Sequence, residues 1–385
     1  MTNKIDLSSL VHELGPQFAE TAAANDETET FIAQNYETLK RNKVFSALVP
    51  AEFGGGDATH GEICAFVRAL APYCPSTALA LSMHQQLVSA ALYNHRHGAP
   101  GQKLLEKVAD SQAVLVSTGA NDWLGSNGEI ERVDGGYRVS AHKPFASGSP
   151  GGDLLITSAP YHDPQEGWQV LHFPVPLSGD GVSRAGDWHT MGMRATGSET
   201  VILDKVFVPD EAIALRRPRD AYHKAWSIIL TAAMPIIMST YLGVAEAAAK
   251  IAREQARKRA DDSATLYLLG ELANHLTTAE LAVDSMVRIA NDLDYTAETE
   301  TANAILSRKT IAANAVLATV QKALEVAGGG GFYRKVGLEK LVRDAHAVRY
   351  HPLQEKRQLL FTGRLALGLD PISDDAAPRF QQAAE

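Results

Sequence analysis

Cysteine is scarce. The 385 residues include only Cys64 and Cys74, with no CxxC pair. That excludes a disulfide framework and a cysteine-rich zinc site, and points to a reducing, cytoplasmic setting. An excess of positive charge is also missing: 36 Lys and Arg face 45 Asp and Glu, a net charge of −9. Nucleic acid and anionic membrane are therefore poor partners, and small molecules or further copies of the chain fit better. Met1–Leu10 carries Lys4 and Asp6 but no apolar core of a signal peptide. No metal-ligand set is visible. His95-Arg96-His97 has no carboxylate or cysteine at ligand spacing and reads as a solvated loop. Charge is absent from residues 225–245, a run long enough to cross a membrane. The run also holds Pro235, Ser227, Ser239, Thr231 and Thr240, and it stands alone. It reads as a helix buried in a bundle or a subunit interface, not as a membrane span.

Hydrophobic residues make up 45% of the chain and charged residues 21%, a globular composition with length for two to three domains. Up to residue 112 the texture is helical. Ile32, Tyr36 and Leu39 mark one helix face, and Pro50 with Gly54-Gly55-Gly56 marks a loop. From 113 to 219 it turns to strands. Glu131–Val133, the turn Asp134-Gly135-Gly136 and Tyr137–Val139 read as a hairpin, with Tyr137, Val139 and Ala141 on one face. Leu154–Thr157, Val170–Val175, Thr200–Leu203 and Val206–Pro209 are further strand candidates. From 220 to 370, Ala-, Leu- and Glu-rich segments at 221–260, 264–293 and 302–327 read as long bundle helices. A polar tail occupies 371–385. Helices and strands that segregate in this way point to an α+β chain and away from a doubly wound sheet.

Local motifs do not force a reaction. Gly328–Gly331 follows a long helix and does not open one, so it reads as a C-terminal cap and tight turn, with close backbone approach to a ligand as the alternative. Ser147-Gly148-Ser149-Pro150-Gly151 lacks the first glycine of a hydrolase elbow. Arg343-Asp344 reads as an ion pair near a buried helix end, and Arg253–Asp262 as a solvated helix face.

Taken in order, however, several phrases resemble one family. They are Val49-Pro50-Ala51-Glu52-Phe53-Gly54-Gly55, Ser117-Thr118, Gly136-Tyr137-Arg138-Val139 running on to Lys143-Pro144-Phe145-Ala146-Ser147, Met191-Gly192-Met193-Arg194 followed by Asp204–Pro209, Gly328–Phe332, and Arg343-Asp344. Together, over residues 5 to 370, they resemble the acyl-CoA dehydrogenase superfamily. The resemblance implies an N-terminal all-α domain (1–112), a middle β-barrel (113–219) and a C-terminal four-helix bundle (220–370). It also implies a flavin, FAD or FMN, held between barrel and bundle in a homotetramer. Ser117, Thr118 and Ser147 are implied at the ring edge and Phe145 on its face. The Gly328, Gly329 and Gly330 turn is implied at the cofactor of a neighbouring subunit.

The sequence departs from the dehydrogenases at the catalytic base. Removing an α-proton from an acyl thioester needs a carboxylate. The position that holds it in most members is Pro352 here, and the alternative position on the first bundle helix falls near Ala233. Glu355, three residues beyond Pro352, could in principle substitute, against its reading as a surface helix charge. His351, His84 and Ser147 instead resemble the polar residues of the flavin-dependent monooxygenase branch. That resemblance implies reduced flavin supplied by a separate reductase, a C4a-hydroperoxide, and catalytic roles for His84, Ser147 and His351 on a small organic substrate. Imidazole suits such a role because it titrates near neutrality. From the residues alone, His84 in an apolar helix also reads as a satisfied core histidine, and His351 as a helix cap. A dehydrogenase with a displaced base, Glu355 or another carboxylate, and a flavin-binding paralogue without turnover are the competing readings.

Overall fold

A run of five helices opens the chain: α1 (Leu7–Thr28), α2 (Ala33–Arg41), α3 (His60–Leu70), α4 (Pro75–Arg96) and α5 (Gln102–Ser111). Their ends are written in the sequence. Asp6 caps α1 by accepting from the Ser9 N–H, and Thr59 with Glu62 forms a capping box on α3. The computed structural model describes residues 4–118 and 122–372; residues 373–385 of the expected tail lie outside them.

The middle segment forms two four-stranded sheets. One has the order β1 (Leu115–Ser117), β4 (Leu154–Asp163), β5 (Gly167–Pro176) and β8 (Leu215–Pro218). In it β1 runs parallel to β4 and the other pairs are antiparallel. The second sheet, ordered β2 (Glu129–Val133), β3 (Gly136–Lys143), β7 (Val201–Pro209) and β6 (Val182–Arg184), is antiparallel throughout. The hairpin read from the sequence is the β2–β3 pair. The two candidates at 200–203 and 206–209 belong to one strand, β7.

Beyond residue 223 come α6 (Lys224–Ala256), α7 (Ser263–Ala290) and α8 (Thr299–Ala327), then α9 (Leu338–Ala345) and α10 (Glu355–Ala366). The uncharged run is the interior of α6, and 89% of its most apolar window is buried by protein. Its packing is close. A Cβ on Gly243 would stand 2.1 Å from the Arg68 carbonyl oxygen of α3, so only glycine allows the two helices to meet there.

Two apolar cores result. One is made by β residues such as Val116, Val139, Leu171 and Val208. The other runs without a break from Leu14, Phe45 and Leu81 through Ile236, Leu242, Val316 and Val326, so N- and C-terminal helices share a single interior.

Two local readings are corrected. His95 and Arg96 are not in a loop but in the last turn of α4, where Arg96 pairs with Asp292 and His97 stacks on Tyr93 at 3.9 Å. Arg343 and Asp344 do not pair with each other. Successive residues on a helix point to different faces, so Arg343 pairs with Asp26 and Glu339 while Asp344 pairs with Lys340.

Candidate active site

Thr118 directly follows β1, and the Phe145–Ser147 segment follows β3 in the other sheet. Thr118 is buried, and its hydroxyl donates to Asp122 and lies 2.8 Å from that of Thr157. Asp122 in turn holds Lys143 at 2.7 Å. Lys143 closes β3 on the inward face, two residues past Ala141, so the strand alternation itself drives the lysine into the interior. Its ammonium is satisfied there by Asp122, the Asn127 carbonyl at 2.9 Å and the Ser158 carbonyl at 2.5 Å. Burial still pushes its pKa down, with Asp122 opposing. Ser117 ends β1, half-buried.

After Lys143 the chain turns sharply. Phe145 has φ +61° and leaves half its surface, 50%, exposed, with its ring edge-on to Trp188 at 6.0 Å. Ser147 then joins a chain of hydroxyls. Ser147 Oγ lies 2.7 Å from Ser198 Oγ, Ser198 Oγ lies 2.7 Å from Thr196 Oγ1, and Thr196 Oγ1 donates to the Met193 carbonyl at 2.8 Å. Proton counting fixes the direction. A hydroxyl has one proton. Thr196 spends its own on the carbonyl, so Ser198 must donate to Thr196 and Ser147 to Ser198. Ser147 Oγ is left presenting lone pairs. The anchor is also held: Asp344 accepts from the Met193 N–H at 2.5 Å and is itself fully buried. Gly192 permits this contact, because a Cβ there would stand 2.3 Å from the Arg343 carbonyl oxygen.

Seven residues past Asp344 stands His351. Its Nε2 lies 2.7 Å from the Tyr241 hydroxyl of α6, and Nδ1 takes no hydrogen bond among the described residues. Burial, then the charge of Lys309, push its pKa down to about 3, so the imidazole is neutral. Lys309 donates to the Leu353 carbonyl at 3.1 Å, and burial lowers it to about 8. His351 stands at the C-cap of the short 3-10 helix His346–Tyr350, while Gln354 is the N-cap of α10.

His84 is different. Its Nε2 lies 2.8 Å from the Phe45 carbonyl, and its Nδ1 accepts from the Leu115 N–H at 2.9 Å. It is fully buried and pushed down to about 4. With both nitrogens spent on backbone, it has none for flavin or substrate, which corrects its reading as a catalytic residue. It ties α4 to the loop before α3 and to the start of β1. Gly328, Gly329 and Gly330 end α8, with Gly328 at φ +61° beside Arg259. No hydrogen bond or ring contact among the described residues joins them to Ser147 or Thr118 of the same chain. Ser198, Thr196, Asp122 and Tyr241 escaped the sequence reading. The first two were legible as small hydroxyls directly after Met191–Arg194, whereas Tyr241 lies unmarked in the apolar α6 run.

Comparison with known proteins fits this arrangement. Residues 10–112 match the acyl-CoA dehydrogenase N-terminal domain and residues 236–355 its C-terminal domain. The chain belongs to the acyl-CoA dehydrogenase superfamily. Among superfamily relatives, the putative acyl-CoA dehydrogenase YdbM of Bacillus subtilis (strain 168) is 25% identical over 361 residues, covering 89% of this chain and 91% of its own. The dibenzothiophene monooxygenase of Rhodococcus erythropolis is 26% identical over 392 residues, covering 91% and 90%. In fold, the chain is similar to KijD3 in complex with FMN and dTDP-3-amino-2,3,6-trideoxy-4-keto-3-methyl-D-glucose, with a TM-score of 0.85, 23% identity, and 96% and 94% of the two chains covered. A flavin fits the donor set of this member of the superfamily. Ser147 keeps an unspent acceptor, and Phe145, two residues before it, leaves half its surface exposed.

Proposed function

We propose that this chain is a flavin-dependent monooxygenase that takes reduced flavin, FMN or FAD, from a separate reductase and oxygenates a small organic substrate. When bound, reduced flavin would supply the electrons for oxygen activation, with Ser147 and Phe145 among the residues that would hold it. Ser147, its hydroxyl turned inward to Ser198, accepts a proton donor at the ring edge. That polarity matches the N5–H of reduced flavin and not the bare N5 of the oxidised ring. His351, neutral and with Nδ1 open, holds or moves a single proton beside it. The observation that carries the reading is the lack of a carboxylate at the positions that the family resemblance gives to the dehydrogenase base, Pro352 and the 227–241 stretch around Ala233.

The dehydrogenase reading keeps one support. Glu355 opens α10 within the electrostatic reach of Lys309. Rapid mixing of the anaerobically reduced flavoprotein with oxygen decides between them. An oxygen adduct that outlives that of free reduced flavin is expected. Bleaching of the oxidised flavoprotein by acyl-CoA, with no adduct on oxygen mixing, would install the dehydrogenase reading instead.

Two further features belong to the proposal. Exposed apolar side chains on the bundle, among them Tyr267, Leu281, Ile311 and Phe332, suit burial in a homotetramer that brings Gly328–Gly330 to a neighbour's cofactor. The buried free thiols of Cys64 and Cys74 suit a reducing cytoplasm.

A further inference from the structure

The apolar interior of α6 holds one hydroxyl that the proposed chemistry leaves without a task. Tyr241 is completely buried, two residues before Gly243, where α6 meets α3. Its one hydrogen-bond partner among the described residues is His351 Nε2, at 2.7 Å and 110 positions away in sequence. The two rings lie 5.3 Å apart with their planes tilted by 59°. A phenyl ring would fill the same space, so the oxygen calls for a reason of its own.

Two arrangements share that distance. In one, the tyrosine O–H donates to Nε2 and the imidazole proton sits on Nδ1. In the other, Nε2–H donates to the tyrosine oxygen, and the phenolic proton is left in a sealed interior with no acceptor. An unmet buried donor is costly, so the first arrangement prevails. The surroundings of the two groups differ in the same sense. His351 is only partly buried, and its Nδ1, which has no partner among the described residues, is not one of their sealed and unmatched atoms. A proton on Nδ1 can therefore meet water or a ligand, whereas the phenolic proton has only Nε2. Charge agrees. Burial, then the charge of Asp344, push the Tyr241 pKa up, so the hydroxyl keeps its proton. A second proton on the imidazole would occupy Nε2 and orphan the phenolic one, and Lys309 opposes that charge as well.

We propose that Tyr241 is a positioning residue: its hydroxyl donates to His351 Nε2 and fixes the imidazole as the Nδ1–H tautomer, which presents a hydrogen-bond donor, not an acceptor, to a bound ligand. Only the identity of that ligand rests on the monooxygenase reading. The test is nitrogen NMR of the full chain in the oxidised state, with isotope-labelled histidine at neutral pH and the His351 signals identified by their loss in His351→Asn. A protonated Nδ1 and a bare Nε2 are expected in the unsubstituted chain. Tyr241→Phe removes the donor, and the tautomer ratio should move about fivefold or more towards Nε2–H, the scale of one unmet hydrogen bond. A purely structural role for Tyr241 would lower Tm without that exchange of signals. A protonated Nε2 in the unsubstituted chain overturns the proposal, whether or not Tyr241→Phe folds. So does an unshifted ratio in folded Tyr241→Phe. None of these spectra uses reduced flavin or oxygen, so their failure leaves the oxygen-mixing outcome untouched, and a missing oxygen adduct leaves the tautomer assignment in place.

Discussion

A single proton per hydroxyl gives Ser147 its character. Because Ser198 and Thr196 pass the proton count inward to the Met193 carbonyl, we expect reduced flavin to bind at least about tenfold more tightly than oxidised flavin, the scale of one mismatched hydrogen bond. Anaerobic and aerobic titrations measure that ratio. Ser198→Ala frees the Ser147 proton to turn outward, and the ratio should fall towards one with little change in Tm. An unchanged ratio would show that the chain does not set the polarity. At His351, substitution by Ala should shorten the life of the oxygen adduct in rapid mixing without unfolding the protein; unaltered decay removes His351 from the chemistry. His84 titrates in the opposite sense from a surface histidine. Its pKa is about 4 in the folded chain against the usual 6.5 unfolded, so its contribution is complete above pH 6.5 and is lost as pH falls towards 4. The slope is on the order of 1.4 kcal/mol per pH unit for each such histidine. His172, pushed down to about 3 by burial and by Arg217, adds to the same fall. Thermal melts from pH 7 to pH 4 should show Tm dropping, and His84→Ala should flatten that slope while lowering Tm at pH 7. None of this was visible in the chain as letters. His84, His351 and Ser147 could be picked out, but which of their atoms were already occupied depends on Phe45, Leu115, Tyr241 and Ser198, residues far away in sequence or unmarked by any motif.

At the level of elements, the alternation in β3 was readable: Tyr137, Val139 and Ala141 point inward, as spacing alone required. The same period sends Lys143 inward, and its partner Asp122 comes from a segment that no pattern marked. We expect Lys143→Met to leave Asp122 as an unpaired buried charge and to cost about 3–5 kcal/mol, read from urea unfolding, together with weaker flavin binding. A change below about 1 kcal/mol would mean that Asp122 becomes protonated or hydrated at little cost. The joint between the middle domain and α9 also rests on few atoms: Asp344 against the Met193 N–H, and Arg343 against the Met191 carbonyl. A dipeptide of opposite charges suggested an internal pair, yet the helix turns its two members to separate partners.

Across the whole molecule, the bundle leaves apolar side chains that no other described residue covers, including Tyr267 at 78% and Leu281 at 62% exposed on α7. Leu281→Glu combined with Ile311→Glu should convert a tetramer into smaller species in analytical ultracentrifugation, and flavin affinity should fall with it if a neighbour completes the site. A tetramer that survives the double substitution would place its interface elsewhere. The order of helical, β and helical segments, the uncharged run 225–245 within α6, the loss of a carboxylate at Pro352 and the family phrases were all determined by the sequence, because periodicity, composition and local spacing are properties of neighbours along the chain. Tertiary structure alone decided that the first and last helical segments share one interior, that the Ser147 hydroxyl faces inward, and that both His84 nitrogens are spent. Each of these depends on contacts between residues tens to hundreds of positions apart, and hydrogen-bond direction and burial exist only once those residues meet.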